Sequence, residues 1–281
     1  MTTTTTTTTT TTVLTLYHVP RTISSPILQY LLEADLVVTA NNNNDTTNTK
    51  TNSNQAKVHV VERSFVQLKS PEHLAINPMG TSPAFTFQDI VIWESGAILD
   101  YLLETYDTNY TWHPAPITPS STSIQRTRRA HYLQWKQYIL ATVYPFVASL
   151  YIHTLKPINE QDSAYLEQAT IKWKTVLGPI LTQWLLQGGG TYCLGGKMSV
   201  IDLLLAKPLS NIHAMGLFVK NNNNNNNNQQ GNAFVELQTL FETISSRPTF
   251  AQAYEPSNLT KDKTETDPQQ RSIVMVPSKK S

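Results

Sequence analysis

The period of hydrophobic and polar positions changes along this chain, and the change divides it. Val13-Leu14-Thr15-Leu16-Tyr17 alternates as a short strand does, and His18 to Thr22, which contains Pro20, ends the run. Ser25-Pro26 followed by apolar residues at 27, 28, 31 and 32 predicts a helix to Glu33, with Ser25 as the N-cap and Pro26 at the first helical position. Leu36-Val37-Val38 and Val58-His59-Val60-Val61 are strand-like. Between them, residues 39–57 are almost wholly Asn and Thr, too poor in apolar surface to fold, and are expected to be a disordered insertion. Pro71 to Ile76 predicts one or two helical turns, and Asn77-Pro78-Met79-Gly80 is turn chemistry. Ala84 to Phe87 and Ile90 to Trp93 flank Gln88-Asp89 as a tight hairpin. Ser95 then opens a helix to Tyr106, with Ile98, Leu99, Leu102, Leu103 and Tyr106 on one stripe. Residues 13–106 therefore read β-α-β-α-β-β-α.

Residues 107–122 carry no periodicity and predict a linker. Beyond them only the helical period occurs, so residues 123–255 predict an all-α domain. Ile124 to Leu155 reads as one long helix bent or broken near Pro145, and Ser163 to Gln187 as another interrupted at Gly178-Pro179. Ser199-Val200-Ile201-Asp202 resembles a capping arrangement, with Asp in place of Glu, and introduces Leu203 to Leu217. Phe234 to Ser245 and Thr249 to Tyr254 are the last helices. A disordered Thr tract (1–12), a poly-Asn loop (220–232) and a flexible tail (256–281) complete the reading.

Composition narrows the function. Charged residues make up only 15%, diluted by the Thr and Asn tracts, and net charge is +1 with no Lys/Arg block, so a nucleic-acid partner is not expected. Cys193 is the single cysteine, which excludes an intrachain disulfide. No apolar run reaches the roughly 18 residues that span a bilayer. The N-terminus lacks the basic and apolar regions of a signal peptide, so a cytoplasmic protein without membrane contact is expected. The seven histidines show no metal spacing, and no metal is expected. Gly80 to Ala84 imitates a nucleophile elbow, but Pro83 has no N–H to donate to an oxyanion. Gly190 to Lys197 fails as a phosphate loop, because Met198 stands where a hydroxyl should hold magnesium.

Three features of the first domain remain: the Pro20 to Ser25 loop before a helix, Ser82-Pro83 before a strand, and Glu94-Ser95 opening a helix after a hairpin. With Asn77 to Pro83, Glu94-Ser95-Gly96-Ala97-Ile98, Ser199 to Asp202 and Arg247-Pro248-Thr249-Phe250, they resemble the cytosolic glutathione transferases over about Val13 to Tyr254. The wording is nearest the theta-like and nu-like branches, bacterial and fungal in type. The resemblance implies a thioredoxin-like N-terminal domain, an all-helical C-terminal domain and a homodimer. It further implies that glutathione is the co-substrate and a small hydrophobic electrophile the second substrate. It also admits a glutathione-dependent disulfide reductase or peroxidase, an isomerase, or a non-catalytic interaction module.

The resemblance assigns roles residue by residue. Thr22 stands where relatives have a catalytic Ser and Pro26 where they have Arg, with Ser24 and Tyr17 as alternative thiolate donors. Ser82 and a cis Pro83 would meet the cysteinyl backbone, Glu94 and Ser95 the γ-glutamyl end, and Lys69 or His73 the glycyl carboxylate. Tyr132, Trp135, Tyr138 and Tyr144 on the long helix would line an electrophile pocket. The chemistry is within reach of a hydroxyl. A thiol with an ordinary pKa of about 8.5 needs roughly 2.7 kcal/mol in favour of the anion to fall by two units. One hydroxyl hydrogen bond to a charged acceptor supplies about 1.5–3 kcal/mol, and a helix N-terminus about 0.3–2.

Overall fold

The computed structural model describes residues 14–38, 58–218 and 234–256. The expected Thr tract, the 39–57 insertion, the poly-Asn loop and nearly all of the tail lie outside these residues. Among the described residues, four strands form one mixed sheet in the order β2-β1-β3-β4. β1 (Leu14–His18) pairs parallel with β2 (Val58–Glu62) and antiparallel with β3 (Ala84–Phe87), and β3 pairs antiparallel with β4 (Ile90–Trp93). The helices α1 (Ser25–Glu33), α2 (Pro71–Ile76) and α3 (Ser95–Tyr106) complete the β-α-β-α-β-β-α order. Leu36 to Val38 is not a strand: only Val37 pairs, in an isolated parallel bridge to Val58.

Alternation places Leu14, Leu16 and His18 on the buried face of β1 and leaves Thr15 and Tyr17 on the other. On α1, every residue from Ser25 to Leu31 is buried, because this helix lies between the sheet and the helices that follow, packing against α3, α8 and α10 as well as β1. Ser25 is the first helical residue rather than the cap. Ser24 occupies the N-cap position, in helical conformation and with no side-chain cap.

Two prolines shape the bundle in the same way. Helices α4 (Ser123–Tyr138) and α5 (Tyr144–Thr154) are joined by a π segment, Ile139–Val143, that ends just before Pro145. Helices α6 (Ser163–Lys172) and α7 (Gly178–Gln187) are joined by another, Trp173–Leu177, just before Pro179. A helical proline lacks an N–H and drives its ring at the carbonyl four residues back, here Ala141 and Thr175. Widening the preceding turn to the i→i+5 pattern absorbs that conflict without breaking the helix. The expected break is therefore a local widening.

Helix α8 (Val200–Ala214) begins with the expected box: the Asp202 carboxylate accepts from Ser199 N–H at 2.7 Å and from Ser199 Oγ at 2.8 Å. Its buried apolar residues join those of α9 (Val235–Ser245) and α10 (Pro248–Tyr254) in one core with the sheet. Arg247 and Thr249, at the start of α10, both hold the carboxylate of Glu33 at the end of α1. The stretch between α3 and α4 is organised by Asp107, whose carboxylate accepts from the N–H groups of Thr111, Trp112 and His113.

Candidate functional site

Strand register brings three loops to one edge of the sheet. Tyr17 pairs with Ala84 and Ala84 with Trp93, so the next residues outward are His18, Pro83 and Glu94. With strands about 4.8 Å apart, Glu94 stands about 10 Å from His18 across β3. Along this edge lie the β1–α1 loop with Thr22, the Ser82–Pro83 peptide, which is cis, and the start of α3 at Ser95. Ser82 Oγ donates to the Tyr17 carbonyl at 3.5 Å.

Thr22 is partly exposed. Its hydroxyl donates to the Val19 carbonyl at 2.8 Å and lies 2.8 Å from Ser24 Oγ. Ser24 is fully buried, its hydroxyl 2.7 Å from His18 Nδ1, so it meets protein on all sides and offers no surface to a ligand. Tyr17 faces away from Thr22: its ring lies edge-on to His73 with centroids 6.0 Å apart and under the Arg63 guanidinium at 5.6 Å. Ser25 Oγ accepts the Arg21 N–H at 3.0 Å, a contact that fastens the loop, and Arg21 has φ 63.

At the other end of the edge, Glu94 takes φ 74, uncommon for a residue with a side chain and costly unless the surroundings hold it. This conformation turns the chain from β4 into α3. The first α3 amide to reach a helical carbonyl is that of Ile98, on Glu94 O at 3.0 Å. The amides of Ser95, Gly96 and Ala97 therefore have no carbonyl partner within the helix, an arrangement that suits an anion. The exposed Glu94 side chain makes no cap bond.

The turn before Ser82 is clamped from α2. Lys69 Nζ donates to the Gly80 carbonyl at 2.9 Å and the Met79 carbonyl at 3.4 Å. His73, fully buried, meets the Thr81 carbonyl at 3.0 Å, and Asn77 Nδ2 donates to the same carbonyl at 3.0 Å. His73 thus holds the backbone and is closed to a carboxylate, whereas Lys69 is exposed and carries its charge beside the turn. His18 and Asn77 escaped the sequence reading. A polar residue ending the inward stripe Leu14, Leu16, His18 was the signal for the first.

Two residues of the expected electrophile pocket are closed off, while Tyr138 is half-buried. Tyr132 and Trp135 are 1% and 3% exposed, and they lie on the core stripe of the α4–α5 rod with Ile139, Val143 and Val147. Trp135 and Tyr138 pack on Trp184 of α7, centroids 5.2 and 5.1 Å apart. Leu140, Tyr144 and Tyr151 lie on a stripe rotated from this one, against the first domain. A Cβ on Gly96 would come within 3.0 Å of Leu140. Burial pushes the Tyr144 phenol up to about 12, opposed by a hydrogen bond with the Ile23 backbone. Tyr151, two turns on, is also raised by burial and opposed by the charge of Arg21. A cavity of about 200 Å³ lies elsewhere, among Trp112, His113, Arg128 and Lys197, and contains none of the residues of this edge. Among the described residues no three His, Cys, Asp or Glu side chains cluster as a metal site would need, and no helix is long and apolar enough to cross a membrane.

A four-stranded mixed sheet with a cis proline before β3, followed by a helical bundle, defines a thioredoxin-like domain joined to an all-α domain. Residues 47–104 match the family described as "Glutathione S-transferase, N-terminal domain". The chain is 31% identical over 143 residues to the glutathione S-transferase-like protein gedE of Aspergillus terreus, a stretch covering 49% of this chain and 60% of gedE. It is 28% identical over 171 residues to human glutathione S-transferase theta-2B, covering 59% and 65%. The chain thus spans less than two thirds of these relatives' lengths. Among solved structures, glutathione transferase URE2P6 of Phanerochaete chrysosporium, in complex with oxidized glutathione, matches with TM-score 0.62 at 21% identity, covering 86% of this chain and 94% of that one. The theta-class enzyme of Xanthomonas axonopodis pv. citri, with glutathione bound, matches with TM-score 0.58 at 19% identity, covering 87% and 98%. Residues 47–104 thus carry the sequence pattern of a glutathione S-transferase N-terminal domain, and the chain shares the fold of the solved glutathione transferases over the aligned length.

Proposed function

We propose that this chain binds glutathione along the sheet edge and transfers its sulfur to a small apolar electrophile. The observation that supports the reading is the strand register, which sets the chain leaving β1 at His18, the cis Pro83 and the open α3 terminus behind Glu94 side by side, about 10 Å from first to last. In this reading the α3 amides and Ser95 take the γ-glutamyl carboxylate and Glu94 takes its ammonium. The backbone at Ser82–Pro83 takes the cysteinyl segment, and Lys69 stands near the glycyl end. Thr22 donates to the thiolate, its hydroxyl leaving Val19 for the stronger charged acceptor. The electrophile lies against Leu140, Tyr144 and Tyr151.

Cys193 takes no part. It is 2% exposed, and burial pushes its thiol up, with Asp202 adding to the shift. Any disulfide chemistry would therefore use the sulfur of glutathione itself. The exposed Ile90, Val91 and Trp93 of β4 support the expectation of a homodimer.

Retention on immobilised glutathione, followed by conjugation kinetics on an aryl halide, tests the reading. Thr22→Val should lower kcat/KM about ten- to a hundredfold, the value of one charged hydrogen bond. Turnover of a mixed glutathione disulfide without aryl halide conjugation would select the reductase instead.

A further inference from the structure

The cavity of about 200 Å³ away from the sheet edge is walled mostly by the stretch between α3 and α4, Tyr110 to Ile117. Gln125 and Arg128 of α4 face it, as do Leu194, Lys197 and Ser199 before α8. Its walls are held by the protein itself. Asp107 gathers the amides of Thr111, Trp112 and His113, the Trp112 carbonyl accepts from Val200 N–H at 3.0 Å, and the Pro114 carbonyl accepts from Arg129 at 2.7 Å. Pro114 and Pro116 stiffen the stretch further by fixing φ. A pocket fastened in this way loses little freedom when it is filled.

His113 lines the cavity and is 5% exposed, with Nδ1 at 2.8 Å from Asp107 Oδ2. Burial would raise the Asp107 pKa, but the bonds from His113, Trp112 and Thr111 outweigh it and hold the carboxyl below its ordinary value. An ionised carboxylate only accepts, so Nδ1 carries the hydrogen, and Nε2 of the neutral ring is left as an acceptor. Among the described residues Nε2 has no hydrogen-bond partner, yet it is not sealed off, so it is reached through the cavity. Tyr110 and Tyr132 pack on the ring, centroids 5.4 and 6.0 Å away, and hold its plane. Arg128 and Lys197 are exposed, and among the described residues neither makes a hydrogen bond or an ion pair. The lining holds no carboxylate. Apolar walls with a few convergent polar groups are what a small-molecule site requires. Since an apolar cavity of about 150 Å³ admits benzene, this one has room for a benzene ring with small substituents.

We propose that this cavity is a second binding site, away from the glutathione edge, for a small aromatic acid that bears a hydroxyl. The carboxylate lies between Arg128 and Lys197, the ring lies against Trp112, Ile117 and Leu194, and the hydroxyl donates to His113 Nε2. Asp107 keeps the imidazole in the tautomer that accepts this bond. No covalent step is involved, and the site does not depend on the glutathione reading.

Calorimetry on the full chain at pH 8 tests it, with 4-hydroxybenzoate as the probe in the absence and presence of saturating glutathione. Wild type should bind the probe in both conditions. The double variant Arg128→Gln/Lys197→Gln should bind it about tenfold more weakly, with an unchanged melting temperature because both side chains are exposed and unpartnered. On wild type, 4-hydroxybenzamide, which lacks the charge, should lose about as much. Benzoate, which lacks the hydroxyl, should bind about fivefold more weakly than the probe. Absence of binding by wild type at millimolar probe, or undiminished binding by the double variant, overturns the proposal. Displacement of the probe by glutathione also overturns it, since the probe would then lie on the sheet edge. Equal affinity for benzoate and 4-hydroxybenzoate overturns the role given to His113.

Discussion

Lys207 sits in the middle of α8, 3% exposed, with its ammonium on Asn211 Oδ1 one turn along. Burial brings its pKa from 10.5 down to about 7, with the charge of Arg21 adding to the effect. The folded value lies below the unfolded one, so between them the unfolded chain holds a proton that the folded chain lacks, and stability must rise with pH. At 1.36 kcal/mol per unit, the shift corresponds to a cost of about 5 kcal/mol near neutral pH. Lys207→Met keeps the unbranched stem and removes the amine, but leaves Asn211 Oδ1 without its donor, which costs about 1–3 kcal/mol. The variant should therefore be more stable than wild type by about 2–4 kcal/mol near pH 7. Urea unfolding at several pH values is the assay, read as the difference between the two proteins so that every other titration cancels. From about pH 7.5 to about pH 9.5 that difference should shrink by roughly 3 kcal/mol in total, enough to close or reverse it. Parallel stability curves over this range would refute the argument and show that the amine is solvated or otherwise paired.

Three further outcomes follow from the geometry. Gly178→Ala should destabilise the bundle by about 1–3 kcal/mol in chemical denaturation, because its Cβ would overlap the buried Phe234 ring. Glu33→Gln should cost about 1–3 kcal/mol, since it weakens the α1–α10 clamp to Arg247 and Thr249. Burial alone would raise the Glu33 pKa, but those hydrogen bonds outweigh it and hold it below 4.5. The wild-type advantage should therefore be full above that value and fade as pH falls through the lowered one, in melts recorded from neutral to acid pH. Ser95→Ala should weaken glutathione binding about tenfold by calorimetry with the melting temperature unchanged, since Ser95 is the first residue of α3 and the N-cap position belongs to Glu94.

The elements of both domains were legible in local chemistry: the Gln88-Asp89 turn between β3 and β4, Ser-Pro before α1, the Ser199 to Asp202 box, and the two prolines that disturb the long helices. Each of these signals acts within one turn or one hairpin, which is why a single sequence carries it. The candidate site was legible only as three loops. Register between β1, β3 and β4 is a long-range property, and it alone sets His18, Pro83 and Glu94, and so the starts of their loops, side by side. The same limit explains the corrections. An aromatic at helical spacing can line a pocket or fill a core, and Tyr132 and Trp135 fill the core because α7 and α8 cover their face. Leu36 to Val38 has strand composition but pairs at a single residue. Ser24 and His73 look available in a loop and a short helix, and both are closed off by elements distant in sequence.

The order of strands and helices, and the loops that bear hydroxyls, were set by the chain's own periodicities and punctuation. Tertiary structure decided which polar groups are sealed inside, among them His18, Ser24, His73 and Lys207. Burial depends on what packs from outside the segment, and it is burial that fixes their protonation and hence what they can do.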